Sequence, residues 1–137
     1  RFKNVSFYRK HFQVDALNRG KIIFLDFDGV FRSFDVWLNG IFLGHHNSGY
    51  TSVSFRIDED KYGLKYDGDN VLAVRVDPRA HEGWWYEGGG IYRHTWLRFA
   101  APVHGKNLYI SPKVSGPISK DPLQAATTAA MEVTVEN

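Results

Sequence analysis

Apolar side chains recur at every second position along most of this chain, and no segment between them carries an amphipathic helix of ten residues or more. Period-two alternation puts successive side chains on opposite faces of extended backbone, so it selects strands with one buried face. TSVSFRI (51–57) shows it cleanly, with Val53, Phe55 and Ile57 on one side and Ser52, Ser54 and Arg56 on the other. FYRKHFQV (7–14), VLAVRVD (71–77) and IYRHTWLRF (91–99) read as further strands, and KIIFLDF (21–27) is nearly continuous in apolar residues, as a deeply buried strand would be. In SFDVWLNGIFLG (33–44) the pair Asn39-Gly40 sits between apolar flanks, and both residues tolerate the positive φ of a type I′ hairpin turn. Strands spaced this evenly predict an all-β, antiparallel sandwich. DEDKYGLKYDGDN (58–70) is turn-rich with room for one helical turn, and Pro78 stops the strand that follows it. Only DPLQAATTAAM (121–131) has helical character, against which stand its Thr-Thr pair and the alternating MEVTVEN after it.

Composition narrows the class further. At 137 residues there is room for one domain and part of another. With 43% hydrophobic and 23% charged residues the chain is neither disordered nor fibrous. The net charge is +2 and the Lys and Arg residues are scattered, so no nucleic-acid partner is expected. The absence of Cys excludes disulfides and thiolate zinc sites and leaves the redox compartment open. No apolar run approaches the roughly 20 residues of a membrane-spanning helix. After Pro102 the aromatic density falls, and Pro112, Gly116, Pro117 and Pro122 punctuate a linker-like stretch. The expected boundary lies near residue 104, with one domain over 1–104 and residues 105–137 leading into a second, incomplete one.

IIFLDFDGV (22–30) looks like the opening motif of haloacid dehalogenase-like phosphatases, with Asp26 in the nucleophile's place. That chemistry needs a parallel sheet with crossover helices, and here a strand and an Asn-Gly hairpin follow instead. YDGDN (66–70) imitates a later acidic motif but has the ordinary residues of a turn. The phosphatase reading therefore gives way to a buried strand ending in a turn.

A collinear series of motifs fits another family. Gly29-Val30-Phe31-Arg32, Asp35 to Gly40, Leu43-Gly44, and Gly49-Tyr50 with Phe55 beyond run in order, preceded by FYRKHFQV and followed by DNVLAVRVD (69–77) and WYEGGGIYRHTWL (85–97). Over about residues 6–103 this resembles the amino-terminal sugar-binding domain of family 2 glycoside hydrolases, the β-galactosidases, β-glucuronidases and β-mannosidases. The resemblance implies a jelly-roll sandwich, followed from residue 105 by the start of an immunoglobulin-like domain. It also implies a β-galactosidase-like parent whose two catalytic glutamates lie in a (β/α)8 barrel beyond Asn137, so that this segment holds no catalytic residue of its own. The partners implied are a β-glycoside, bound through the parent enzyme, and the parent's own immunoglobulin-like and barrel domains. The residues themselves fix no compartment; polysaccharide-degrading relatives point to a periplasmic or secreted bacterial protein.

Within the chain the loop HEGWWYEGGG (81–90) is the leading candidate for substrate contact. The flat faces of Trp84, Trp85 and Tyr86 can stack on the C–H face of a sugar ring, and Glu87 stands beside them. Core packing beneath the loop is the competing use of Trp85 and Tyr86. Trp84 occupies a position that in the family often carries a polar or charged residue, which implies either a different subsite or an interdomain contact. The resemblance also places His46 and Tyr50 near the same rim.

Other constellations do not support chemistry. Asp58-Glu59-Asp60 and Asp67-Gly68-Asp69 are turn carboxylates without the pairing that a glycosidase acid and nucleophile need. His45 and His46 point to opposite sides of extended backbone, and no carboxylate spacing joins them to a metal. Gly88-Gly89-Gly90 precedes a strand, where a phosphate cradle needs a helix N-terminus. No metal or cofactor is expected. The function read from the sequence is a non-catalytic glycosidase domain that buttresses the barrel and lends a loop to its pocket; the alternative is a free-standing carbohydrate-binding module.

Overall fold

The computed structural model describes residues 4–80, 88–115 and 126–136. The chain divides into two compact units, Arg1–Ala101 and Pro102–Asn137. The first holds β1 (Ser6–Phe12), β2 (Ile22–Phe27), β3 (Val30–Phe31), β4 (Ser33–Leu38), β5 (Ile41–Asn47), β6 (Val53–Arg56), β7 (Asn70–Asp77), β8 (Gly90–Ile91) and β9 (Thr95–Ala100). Among the described residues the helical pieces are two single 3₁₀ turns, Ala16–Asn18 and Asp60–Tyr62. One sheet has the order β1-β7-β4-β5, another β6-β2-β9, and β3 pairs with β8. Among the described residues every ladder of this unit is antiparallel, and the isolated bridge from Val14 to Tyr66 is parallel.

The alternation read from the sequence is what buries the core. β4 and β7 send every second side chain inward, Phe34, Val36 and Leu38 from one and Leu72, Val74 and Val76 from the other. Ile23, Leu25 and Phe27 of β2 face them from the second sheet, with Val14, Val30 and Ile57 closing the edges. Phe27 joins the layers: its ring lies 5.3 Å from that of Phe34 on one sheet and 6.2 Å, edge to face, from that of Phe55 on its own. Burying each such side chain contributes about 1.5–3 kcal/mol, and the inward rows form one continuous cluster. Asn39 and Gly40 carry φ of 51° and 86°, the positive pair that a type I′ turn requires between β4 and β5.

Asp26 sits on the central strand of the β6-β2-β9 sheet, accepting hydrogen bonds from Arg98 Nε (2.7 Å) and Ser54 Oγ. An antiparallel strand with its carboxylate neutralised in this way is no phosphoryl acceptor. Asp67, in the second phosphatase-like string, takes φ of 57° and accepts from the Ala16 N–H at 2.8 Å, which ties the turn down structurally.

One expectation is corrected. IYRHTWLRF does not form one strand: it breaks between β8 and β9, because the first piece pairs with β3 and the second with β2. The second unit is a long antiparallel ribbon of β10 (His104–Ser115) and β11 (Ala126–Glu136), where the sequence reading has a linker-like stretch leading into the first strands of a second domain. Each strand of a two-stranded ribbon has an outward edge without ladder partners, where a proline such as Pro112 is tolerated. The Thr-Thr pair and the alternation beyond it outweigh the local helix propensity of the alanines. Leu108 stands opposite Val133 and Ile110 opposite Met131, so these four share one apolar face, and each is more than half exposed.

Asp58 pins the end of the sandwich, accepting from the Ile23 N–H at 3.1 Å and from both Arg56 Nε (3.0 Å) and an Arg56 terminal nitrogen (3.1 Å). Burial pushes its carboxyl up, but these donors outweigh it and hold the pKa below its ordinary 3.8. Its charged form therefore stabilises the fold above the unfolded pKa of about 4, and that contribution fades as pH falls through the folded value. Asp58→Asn is expected to flatten the acid limb of stability below about pH 4. Urea titrations across that range check it, and an unchanged slope counts against the assignment.

Candidate functional site

Where β2 ends, the chain turns at Asp28 and Gly29 before entering β3, and two strands change partners together. The Asp28 N–H donates to the His94 carbonyl at 3.0 Å, and the N–H groups of Tyr92 and Arg93 both reach the Gly29 carbonyl at 3.4 Å. The short ladder pairs Val30 with Ile91 and Phe31 with Gly90. These bonds bring the glycine run 88–90 beside Phe31 and send Tyr92 outward from the same end. The loop after β5 arrives from the other side. Its Gly49 lies so close to Phe31 that a Cβ there would run into the ring, and the Tyr92 hydroxyl donates to the Gly49 carbonyl at 2.6 Å. Tyr50 then meets Phe31 edge to face, ring centroids 5.7 Å apart at 72°.

The result is an open cleft of about 360 Å³ lined by Phe31, Tyr50, Gly88, Gly89, Gly90 and Tyr92. Among the described lining residues none carries a charged side chain. Phe31 is buried as a floor, whereas Tyr50 is 67% and Tyr92 50% exposed, so two phenol rings are offered to solvent. The glycine run contributes backbone without side chains. Flat rings with a polar edge suit stacking against another planar or C–H face, and the Arg93 guanidinium lies 5.4 Å from the Tyr92 ring centroid.

Of the residues singled out from the sequence, Tyr50 lines this cleft. His46 does not: its Nε2 lies 2.9 Å from Thr51 Oγ1 and its ring packs edge-on against Phe34 at 5.6 Å. Trp84, Trp85, Tyr86 and Glu87 lie outside the described residues. Phe31 and Tyr92 entered the sequence reading only as parts of motifs. Their convergence depends on a sheet switch that interrupts the two-residue period, so no periodic signal marks them.

A second, polar cleft of about 550 Å³ is lined by Arg32, Ser33, Asn47, Asp77, Arg79 and Ala80. Asp77 accepts from Arg79 at 2.6 and 2.8 Å and from Arg75 at 3.0 Å, and the Arg79 guanidinium holds its carboxyl far below the usual carboxylate range. A carboxylate held ionised in this way cannot give up a proton as a general acid near neutrality. Arg75 also bonds Asp35 at 3.0 Å, and Asp35 is 2.7 Å from His45 Nδ1, which makes an alternating charge ladder across the sheet's outer face. Among the described residues no group of three or more His, Asp or Glu is placed to hold a metal ion.

Comparison with known proteins gives a consistent result. Residues 2–82 match the family model described as the beta-galactosidase second all-beta domain. A beta-galactosidase of Thermoanaerobacter pseudethanolicus is 41% identical over 117 residues, covering 79% of this chain and 15% of the relative. A beta-galactosidase of Bacteroides ovatus is 46% identical over 101 residues, covering 73% and 12%. Among solved structures, a beta-glycosidase from Bacteroides vulgatus superposes with a TM-score of 0.81 at 30% identity, over 96% of this chain and 16% of that one. A glycosyl hydrolase family 2 member from Bacteroides cellulosilyticus does so with a TM-score of 0.74 at 36% identity, over 80% and 15%.

Proposed function

Because the chain belongs to the beta-galactosidase second all-beta domain family, a domain of family 2 glycoside hydrolases, we propose that it is a non-catalytic accessory domain of a β-galactosidase-like enzyme. It stands on the amino-terminal side of the catalytic barrel as a jelly-roll sandwich and lends the rim around its aromatic cleft to the substrate pocket. The observation that carries this reading is one of proportion: the chain spans 15% and 12% of the length of the two beta-galactosidases it resembles. The carboxylates agree with it. Asp26, Asp35, Asp58 and Asp77 are each held by an arginine, and none is left as a proton donor beside a nucleophile.

Residues 105–137 belong, in this reading, to an immunoglobulin-like neighbour. The apolar row of Leu108, Ile110, Met131 and Val133 is the inner face of a sheet that further strands of that domain cover. The cleft of Phe31, Tyr50 and Tyr92, with Trp84, Trp85, Tyr86 and Glu87 beside it in sequence, forms one wall of the sugar site, and the barrel supplies the other and both catalytic glutamates. A periplasmic or secreted bacterial setting fits a polysaccharide-degrading parent.

The 137-residue chain alone is expected to show no turnover of 4-nitrophenyl β-galactoside or β-glucuronide. The longer polypeptide is expected to hydrolyse at least one of them and to lose that activity when either barrel glutamate is replaced by glutamine. Turnover by the short chain that repeats in independent preparations would contradict the proposal, as would a longer polypeptide that carries no barrel.

A further inference from the structure

On the outer face of the β6-β2-β9 sheet the register sets Trp96 opposite Asp26 and Phe24 between Arg56 and Arg98. Trp96 is 52% exposed, yet its ring is held in place. The indole N–H donates to Asp28 at 2.8 Å, and the His94 ring stacks on it, centroids 5.0 Å apart at 28°. A large aromatic fixed before contact loses little further freedom when a partner covers it, which makes it an effective interface anchor. The charges around it are already paired within the face. Asp26 accepts from Arg98 at 2.7 Å and from Ser54, the Arg98 guanidinium lies 4.2 Å from the Phe24 ring centroid, and Arg56 donates to Asp58. A partner can therefore exclude water here without stranding an ion, the main cost of burying charged surface. This favours a protein surface over a glycan, whose hydroxyls need donors and acceptors that are not already engaged with one another. The face also runs directly into the rim of the aromatic cleft: Asp28 holds Trp96, and a Cβ on the next residue, Gly29, would meet the Tyr92 ring at 2.9 Å. A body that closes over the rim at Tyr92 meets Trp96 next.

We propose that this face, anchored by Trp96, is the seat of the domain that completes the substrate pocket, which in the reading above is the catalytic barrel. The inference rests on the accessory-domain reading and deepens it by naming the surface through which the cleft rim is held against its partner.

Site-specific photo-cross-linking in the longer polypeptide tests this, with Trp96→p-benzoylphenylalanine irradiated and the joined peptides identified by mass spectrometry. The adduct is expected within the barrel. It is expected to be at least about tenfold more abundant than the barrel adduct from Phe7→p-benzoylphenylalanine, since Phe7 is 74% exposed on the outer face of the other sheet. No adduct, as a bare or glycan-binding face would give, overturns the inference. So does an adduct confined to residues 1–137, one that joins two copies, or one equally abundant from position 7. Trp96→Ala gives a second reading, because it removes the anchor and leaves the inward row of β9 intact. It is expected to lower the temperature at which the longer polypeptide loses glycosidase activity by several degrees, while Phe7→Ala leaves that temperature unchanged. An unaltered temperature for Trp96→Ala, or an equal fall for both variants, counts against the inference. If the longer polypeptide hydrolyses a glycoside but yields no barrel adduct, the inference fails and the accessory-domain reading stands. If it carries no barrel, the reading fails and the inference fails with it.

Discussion

Phe27→Ala is expected to lower the unfolding free energy by about 3–5 kcal/mol, the range for emptying a large aromatic from a packed core. Phe27 is 1% exposed and its ring touches both Phe34 and Phe55, so it is the side chain through which the two sheets hold each other. The strands around it are braced by ladders on both sides of β2, and such a frame collapses little into the space left behind. Small domains have only about 5–15 kcal/mol of stability in total, so the variant is left marginal at 37 °C. Urea denaturation followed by tryptophan fluorescence measures the loss. Phe55→Ala serves as the control, because Phe55 is only partly buried and its removal is expected to cost less. A loss below about 1 kcal/mol for Phe27→Ala would mean that the layers are not joined there.

The second large effect is expected at Asn70, a polar side chain that is fully buried. Its carbonyl oxygen accepts from the Lys65 N–H at 2.8 Å and from Asn39 Nδ2 at 2.9 Å, and its amide donates to the Lys65 carbonyl at 2.7 Å and the Gly68 carbonyl at 3.3 Å. Asn39 in turn accepts from the Val71 N–H at 2.9 Å and donates to the Gly63 carbonyl at 2.7 Å. Two asparagines thus fasten the hairpin turn, the loop before β7 and the start of β7 to one another. Asn70→Asp keeps the shape but turns a donor into an ionised oxygen facing two carbonyls in a buried site. The expected cost near neutrality is about 3–5 kcal/mol, as for other uncompensated buried charges. Burial and the carbonyls raise the folded pKa of that new carboxyl above its unfolded value, so the folded state binds its proton more tightly and the deficit shrinks as pH falls toward 4. Asn70→Ala, with no charge, is expected to be destabilised without that recovery. Stability curves for both variants between pH 4 and 8 check this; matching pH dependence for the two would refute the charge argument.

These two positions were not equally visible in the sequence. Phe27 ends an apolar run whose burial follows from its composition. Asn70 stands in YDGDN, where the residue type says only that a turn is near; its role as a bolt depends on Asn39, 31 positions away. The hairpin at Asn39-Gly40 was legible because positive φ is a property of the residues themselves. The break between β8 and β9 was not, because IYRHTWLRF alternates well enough for one strand and only the competition between β3 and β2 for its two halves divides it. Likewise the length of β10 was hidden behind Pro112, since a proline is excluded from a central strand but permitted at an edge. Of the candidate site, Tyr50 was found from its motif, while Phe31 and Tyr92 were passed over as framework.

Taken alone, the sequence determined what is local: which face of most strands is apolar, where the β4–β5 hairpin turns, and that the strand carrying Asp26 has no crossover helix after it. Each of these depends on side chains within a few residues of one another, and their chemistry does not change with what packs against them. The tertiary structure alone decided which strands lie side by side and where two of them change sheets. It also decided that Tyr92 reaches across 43 positions to the Gly49 carbonyl, closing a cleft of aromatic rings. Those outcomes depend on distant segments competing for the same edges and the same buried volume, and no two-residue period records who wins.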